Sequence, residues 1–106
     1  MHSDWLFLDD IAEACHKIKR YVEGKTLEEF VADELTFDAT LYNIQIIGEA
    51  AKNLPEETRA LRPEIPWSRI VGLRNLIVHH YFGVDEEIVW NVATERIDEL
   101  LEAVED

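Results

Sequence analysis

Residues 67–81 read WSRIVGLRNLIVHHY, and the reading of this stretch decides the fold. Pro66 stands where proline is tolerated, at the start of a helix, and Gly83 supplies a stop, so the stretch is expected to be one helix from Trp67 to about Tyr81. An arginine, an asparagine, two histidines and a tyrosine close an otherwise strongly apolar run. Buried polar groups need partners, so this set is costly unless it does something. Each residue advances about 100° around a helix axis, which puts Arg74 and Tyr81 within about 20° of each other. Asn75 and His79, four apart, fall within about 40°. Arg74 and His79 diverge by about 140° if the helix is regular. One helix then cannot aim both at one atom. The pair needs the long reach of Arg74, a distorted last turn, or a second copy of the chain. His79 and His80 diverge by about 100° and are poor joint ligands for one metal. No His, Cys, Asp or Glu group has the spacing of a zinc site, and no Gly-rich phosphate loop is present.

The rest of the chain is also helical in period. Leu8, Ile11, Cys15, Ile18 and Val22 mark one buried face, with Asp4 as N-cap and Gly24 as stop. Thr26 followed by Glu29 has the form of a capping box and opens a short helix with Leu27, Phe30 and Val31. A third helix is expected from about Asp38 to Leu54, its stripe formed by Leu41, Ile44, Gly48 and Ala51. Glycine in a helix interior costs about 1 kcal/mol relative to alanine. At Gly48, beside Ala50 and Ala51, it points to close helix packing. Pro55 ends this helix, and Pro63 and Pro66 bracket a turn. Asp85 caps a fifth helix, whose apolar face is Val89, Trp90, Ala93, Ile97, Leu100, Leu101 and Val104. No segment alternates with period two. The expected fold class is all-α: a single domain over residues 1–106, an up-and-down bundle of four long helices and one short one.

Composition agrees with a globular chain: 106 residues, 47% hydrophobic and 31% charged. A core of this size is thin, and pairing with a second copy would help it. No apolar run approaches the roughly 18 residues of a membrane span, and no signal-peptide pattern opens the chain. With a single cysteine, Cys15, there is no intramolecular disulfide, and cytoplasmic residence is the expectation. Cys15 lies on an apolar stripe and reads as a small hydrophobe. The net charge of −13 argues against a non-specific nucleic-acid binder, so activity on RNA requires a locally positive cleft. From Asp85 onward Arg96 is the one basic residue, which reads as a solvated face or a docking surface for a basic partner. His2 and His16 are expected at the surface. Trp5, Trp67 and Trp90 read as core or dimer contacts. Glu49 and Lys52 either face a cleft or belong to an ordinary polar face.

The stretch Arg74-Asn75-Leu76-Ile77-Val78-His79-His80-Tyr81 resembles the R-x4-H-x-Y signature of the HepT-like branch of HEPN proteins. Arg74, His79 and Tyr81 match it in full, and Asn75 matches the polar residue that follows the arginine. The likeness extends to residues 42–50 (YNIQIIGEA), 63–67 (PEIPW) and 81–85 (YFGVD), in the same order. The resemblance implies a HEPN-type homodimer acting as a metal-independent endoribonuclease toxin that needs no cofactor. Its cleft would lie where two signature helices meet. His79 is then the general acid or base, Arg74 the clamp on the phosphoryl oxygens, and Asn75 the orienter of His79 or of the phosphate. The resemblance also implies a cognate MNT-type nucleotidyltransferase antitoxin that transfers AMP to Tyr81. Two alternatives stand beside it. One is a non-catalytic helical module that binds, or is modified by, such a nucleotidyltransferase. The other is a purely structural dimeric bundle.

Overall fold

The structure, a computed structural model, describes residues 4–105, and no strand occurs among them. Helix α1 spans Asp4–Val22 and buries Ile11, Ala14, Cys15, Ile18 and Val22. Gly24 follows it at φ +74°, the left-handed stop expected of it. His2 and the capping role of the Asp4 side chain lie outside the described residues.

Helix α2, Leu27–Ala32, opens with the expected capping box. The Glu29 N–H donates to Thr26 Oγ1 at 3.2 Å, and the Thr26 N–H donates to Glu29 Oε1 at 2.9 Å. It delivers Phe30, fully buried, against Phe37 and Trp90, with ring centroids 5.5 and 5.2 Å away.

Helix α3, Glu34–Asn53, begins four residues before the expected Asp38. The cause is Asp33. Its backbone N–H closes α2 onto the carbonyls of Glu29 and Phe30. Its carboxylate opens α3 by accepting from the Thr36 N–H at 3.1 Å and the Thr36 hydroxyl at 2.6 Å. These bonds, with Lys25 nearby, hold the Asp33 carboxyl below the usual range. Pro55 ends α3 as expected, and also stands at the N-cap of a short helix the sequence reading missed, α4, Glu56–Ala60. Among the described residues α4 is thus a short helix beyond the one expected.

Helix α5 spans Trp67–His79 and ends two residues earlier than expected. Tyr81–Gly83 form a separate 3-10 turn. Asp85 then caps helix α6, Glu86–Asn91, accepting from the N–H groups of Glu87 and Ile88. A π-helical turn over Val92–Arg96, with the Ile97 N–H bonded to the Val92 carbonyl, joins α6 to α7, Ile97–Glu105. The apolar spacing accounts for it. Val89, Ala93, Ile97 and Leu101 recur every four residues, which drifts about 40° per step on a regular helix. A wider i→i+5 turn takes up part of that drift and keeps all four buried.

Helix α3 is the central element. It packs against α1 on one side and α5 on the other, and α1 also packs against α7. Lys19 pairs with Asp98 at 3.1 Å and His16 with Glu105 at 3.0 Å, so part of the acidic C-terminal face is used within the fold. Helix α5 buries only Trp67 and Ile77. Where it fails to close on α7 an apolar cavity of about 190 Å³ remains, lined by Ile44, Ile47, Ile70, Leu73, Val92 and Leu100 among others. Of the tryptophans, Trp67 is buried and Trp90 half-buried, while Trp5 is exposed. No helix among the described residues is long and apolar enough to cross a membrane.

Candidate active site

The site is built where α5 lies along α3. An ideal Cβ on Gly48 would sit 2.2 Å from Arg74 Cβ and 2.7 Å from Arg74 Cγ. Only a residue without a side chain lets the two backbones meet here, as the sequence led one to expect. Next to Gly48 on α3 stands Glu49. Its Oε1 accepts from Arg74 Nε at 2.6 Å and also pairs with Arg74 Nη2. Arg74 Nη1 donates to Asn75 Oδ1 at 2.8 Å. The Arg74 side chain is 17% exposed and held on two sides. A guanidinium carries five N–H donors. Glu49 and Asn75 occupy three, leaving one on each terminal nitrogen for an oxyanion.

Helix α5 is regular through His79, so the divergence of Arg74 and His79 stands. Arg74 turns toward α3 and His79 toward solvent, on an exposed face shared with Ser68, Gly72, Asn75 and Leu76. The His79 imidazole makes no hydrogen bond among the described residues. Asn75 is expected to orient His79 or the phosphate; its Oδ1 here accepts from Arg74, and it makes no bond to His79 among the described residues. Within one chain these groups do not converge on one point.

Tyr81 requires a correction. Its expected place, about 20° around the helix from Arg74, assumed that α5 continues. The helix instead stops at His79, with the His80 N–H bonded to the Leu76 carbonyl and His80 at φ −136°, ψ 42°. The exposed Tyr81 side chain reaches back to α3, where its hydroxyl donates to Asp38 Oδ1 at 2.9 Å. Desolvation, that hydrogen bond, and the charges of Asp38 and Glu34 push its phenol above the usual range. Asp38 and Glu49 are eleven residues apart, about 16 Å along the α3 axis, so Tyr81 and Arg74 are anchored well apart. His80 is an exposed C-cap, and Lys52 is exposed with no ion pair among the described residues. Sequence reasoning left Glu49 undecided and saw Asp38 only as a helix start. Cys15 is buried and its thiol is pushed up to about 12, first by burial and then by the charge of Glu105, which makes it inert.

The all-α bundle, with an arginine and an exposed histidine on its most open helix, is consistent with the HEPN class that the signature resembles. The comparisons with known proteins carry this to a family. The model of the ribonuclease HepT-like family matches residues 11–106. The chain is 39% identical over 99 residues to a Thermococcus cleftensis protein named "Probable ribonuclease HepT", covering 93% of this chain and 88% of that one. It is 37% identical over 100 residues to a Caldanaerobacter subterraneus protein named "Putative RNase", covering 94% and 89%. A Methanocaldococcus jannaschii protein of the same description is 35% identical over 100 residues, covering 94% and 83%. This chain belongs to the HepT-like ribonuclease family. No solved structure matches it.

Proposed function

We propose that the chain is an endoribonuclease toxin that cleaves RNA in a cleft between two copies, with Arg74, Asn75 and His79 as its catalytic set. The observation that carries this reading is the state of Arg74. It is pre-positioned by Glu49 and Asn75, keeps two N–H groups open, and shares a helix with an exposed, unbonded histidine. RNA brings its own nucleophile, the 2′-hydroxyl. His79 takes that proton or protonates the leaving 5′-oxygen. Arg74 balances the charge that gathers on the phosphoryl oxygens. A two-fold arrangement of α5 brings the His79 of one copy toward the Arg74 of the other, which resolves their divergence. The chemistry asks for no metal.

Tyr81 is the regulatory position in this reading. Its hydroxyl lies two residues beyond His79, in a short turn at the surface. A partner nucleotidyltransferase would transfer AMP from ATP to that oxygen, which loses its proton as pyrophosphate leaves, and so place bulk and negative charge at the end of the cleft. The testing experiment uses purified protein and mixed cellular RNA. Wild type should cleave in the presence of EDTA and leave 2′,3′-cyclic phosphate ends, and His79→Ala should not cleave while keeping its helicity. Co-expression with the cognate nucleotidyltransferase should add the mass of one or more AMP units to wild type and none to Tyr81→Phe. Absence of cleavage by wild type, with AMP addition intact, would favour the second reading, a non-catalytic module modified by its partner. The net charge of −13 is the observation on its side.

A further inference from the structure

The acidity of the chain has a gap. No Asp or Glu occurs between Glu64 and Asp85, so α5 carries none. Residues 52–74 hold five of the ten basic residues and three of the 23 acidic ones. That segment is net +2, against −15 for the remainder, counted on the same sequence. Lys17, Lys19, Lys25, Arg74 and Arg96 each pair with a carboxylate. Within the segment, Lys52, Arg59 and Arg69 have no carboxylate partner among the described residues, a condition that Arg20 shares at the other end of the bundle.

The fold gathers these three at one end of the bundle. Lys52 lies in the last turn of α3 and Arg59 in α4. The Trp67 indole N–H donates to the carbonyls of Arg59 at 3.0 Å and Arg62 at 3.1 Å, pinning α4 and its following turn to the first residue of α5. Arg69 sits two residues on, exposed. Arg69 and Arg74 lie about 7.5 Å apart along this acid-free helix and about 140° apart around it. A strand that passes from one to the other therefore wraps partway around α5 and meets Arg74 through its long side chain.

We propose that Lys52, Arg59 and Arg69 form a track for the phosphate backbone of single-stranded RNA, feeding the strand along α5 toward Arg74. The proposal rests on the ribonuclease reading given above. A protein of net charge −13 repels RNA at long range, and these cations are where that repulsion is locally reversed. Unpaired side chains are suited to the task, because no internal ion pair must break when a phosphate arrives. Backbone contacts of this kind position the strand and carry no sequence preference.

The test is fluorescence anisotropy of a labelled oligouridylate with the His79→Ala chain, which binds without cutting, across a salt series. Removing two phosphate contacts by Lys52→Gln with Arg69→Gln should shrink the slope of log K against log salt by about 1.4. Binding to a mixed-sequence strand should weaken equally. Both side chains are exposed, and circular dichroism reports whether the fold is kept. Arg59→Gln alone should shrink the slope by about 0.7. Arg20→Gln, at the opposite end of the bundle, should leave it unchanged. An unchanged slope in the double variant overturns the track, as does an equal loss in Arg20→Gln. So does a change in oligomeric state with RNA binding intact, which would mean the patch docks an acidic helix of another copy. If wild type cuts no RNA yet the slopes shift as stated, the track stands and the nuclease reading falls. If wild type cuts and the slopes stay put, the reverse holds.

Discussion

Gly48 and Arg74 touch so closely that any side chain at position 48 must move α5. Overpacking of this kind costs about 1–3 kcal/mol. Against it stands about 1 kcal/mol that alanine gains over glycine in a helix. Gly48→Ala should therefore lower stability in urea unfolding and displace Arg74 from Glu49, reducing RNA cleavage more than it reduces helicity. Tyr81 offers a second test at this scale. Its phenol is pushed above the ordinary value of about 10 by partial desolvation and by the hydrogen bond to Asp38. A raised folded pKa means that the contact's stabilisation is complete below the unfolded pKa and is lost as pH rises through the folded one. Phenolate absorbance should show one tyrosine ionising late, and Asp38→Asn should bring it earlier. A normal titration in wild type would remove the contact from the account. The sequence displayed Arg74, Asn75, His79 and Tyr81 because they lie within eight residues on one signature. Glu49 and Asp38 were not legible in the same way. They are 25 and 43 residues from their partners, and only the antiparallel packing of α3 and α5 brings them there.

Among the elements, the clearest departures from expectation are at boundaries. Periodicity located every long helix, since burial imposes it directly. It did not locate the start of α3, because that start depends on one residue, Asp33, serving two helices. Asp33→Ala should lower the melting temperature and uncouple α2 from α3. The pH dependence follows from its lowered pKa. The contribution is present above the unfolded value of about 3.9 and disappears as pH falls through the folded pKa. Wild type and Asp33→Ala should thus converge in stability in strong acid, and a gap that persists there would rule out the carboxylate as its source. The end of α5 was misplaced for a related reason. Thirteen residues follow the helix faithfully, and then His80 leaves the helical region, which no spacing rule announces. The π turn was legible in hindsight from its four-residue apolar spacing, but a regular 3.6-residue reading passes over it.

For the molecule as a whole, the proposed dimer turns on the open face of α5. Leu76, 40% exposed, lies on that face beside Asn75 and His79. Under the dimer reading, Leu76→Glu should give a monomer in light scattering and lose RNA cleavage together with it. A Leu76→Glu protein that remains dimeric would place the interface elsewhere. The thiol of Cys15 reports on the opposite side of the fold. Being buried against α1's neighbours, it should react with thiol reagents only on unfolding.

The one-sided anchorage of α5 has a consequence for how the molecule opens. Helices α1 and α3 bury their faces against more than one neighbour, whereas α5 rests almost wholly on α3 and borders a cavity on its far side. Opening free energy is distributed by such packing, so amide protons of α5 should exchange with solvent through a local excursion while those of α1 and α3 wait for global unfolding. Bound RNA or a second copy laid on that helix should slow its exchange selectively. The segment that carries Arg74 and His79 is thereby the part of the chain whose order depends most on company.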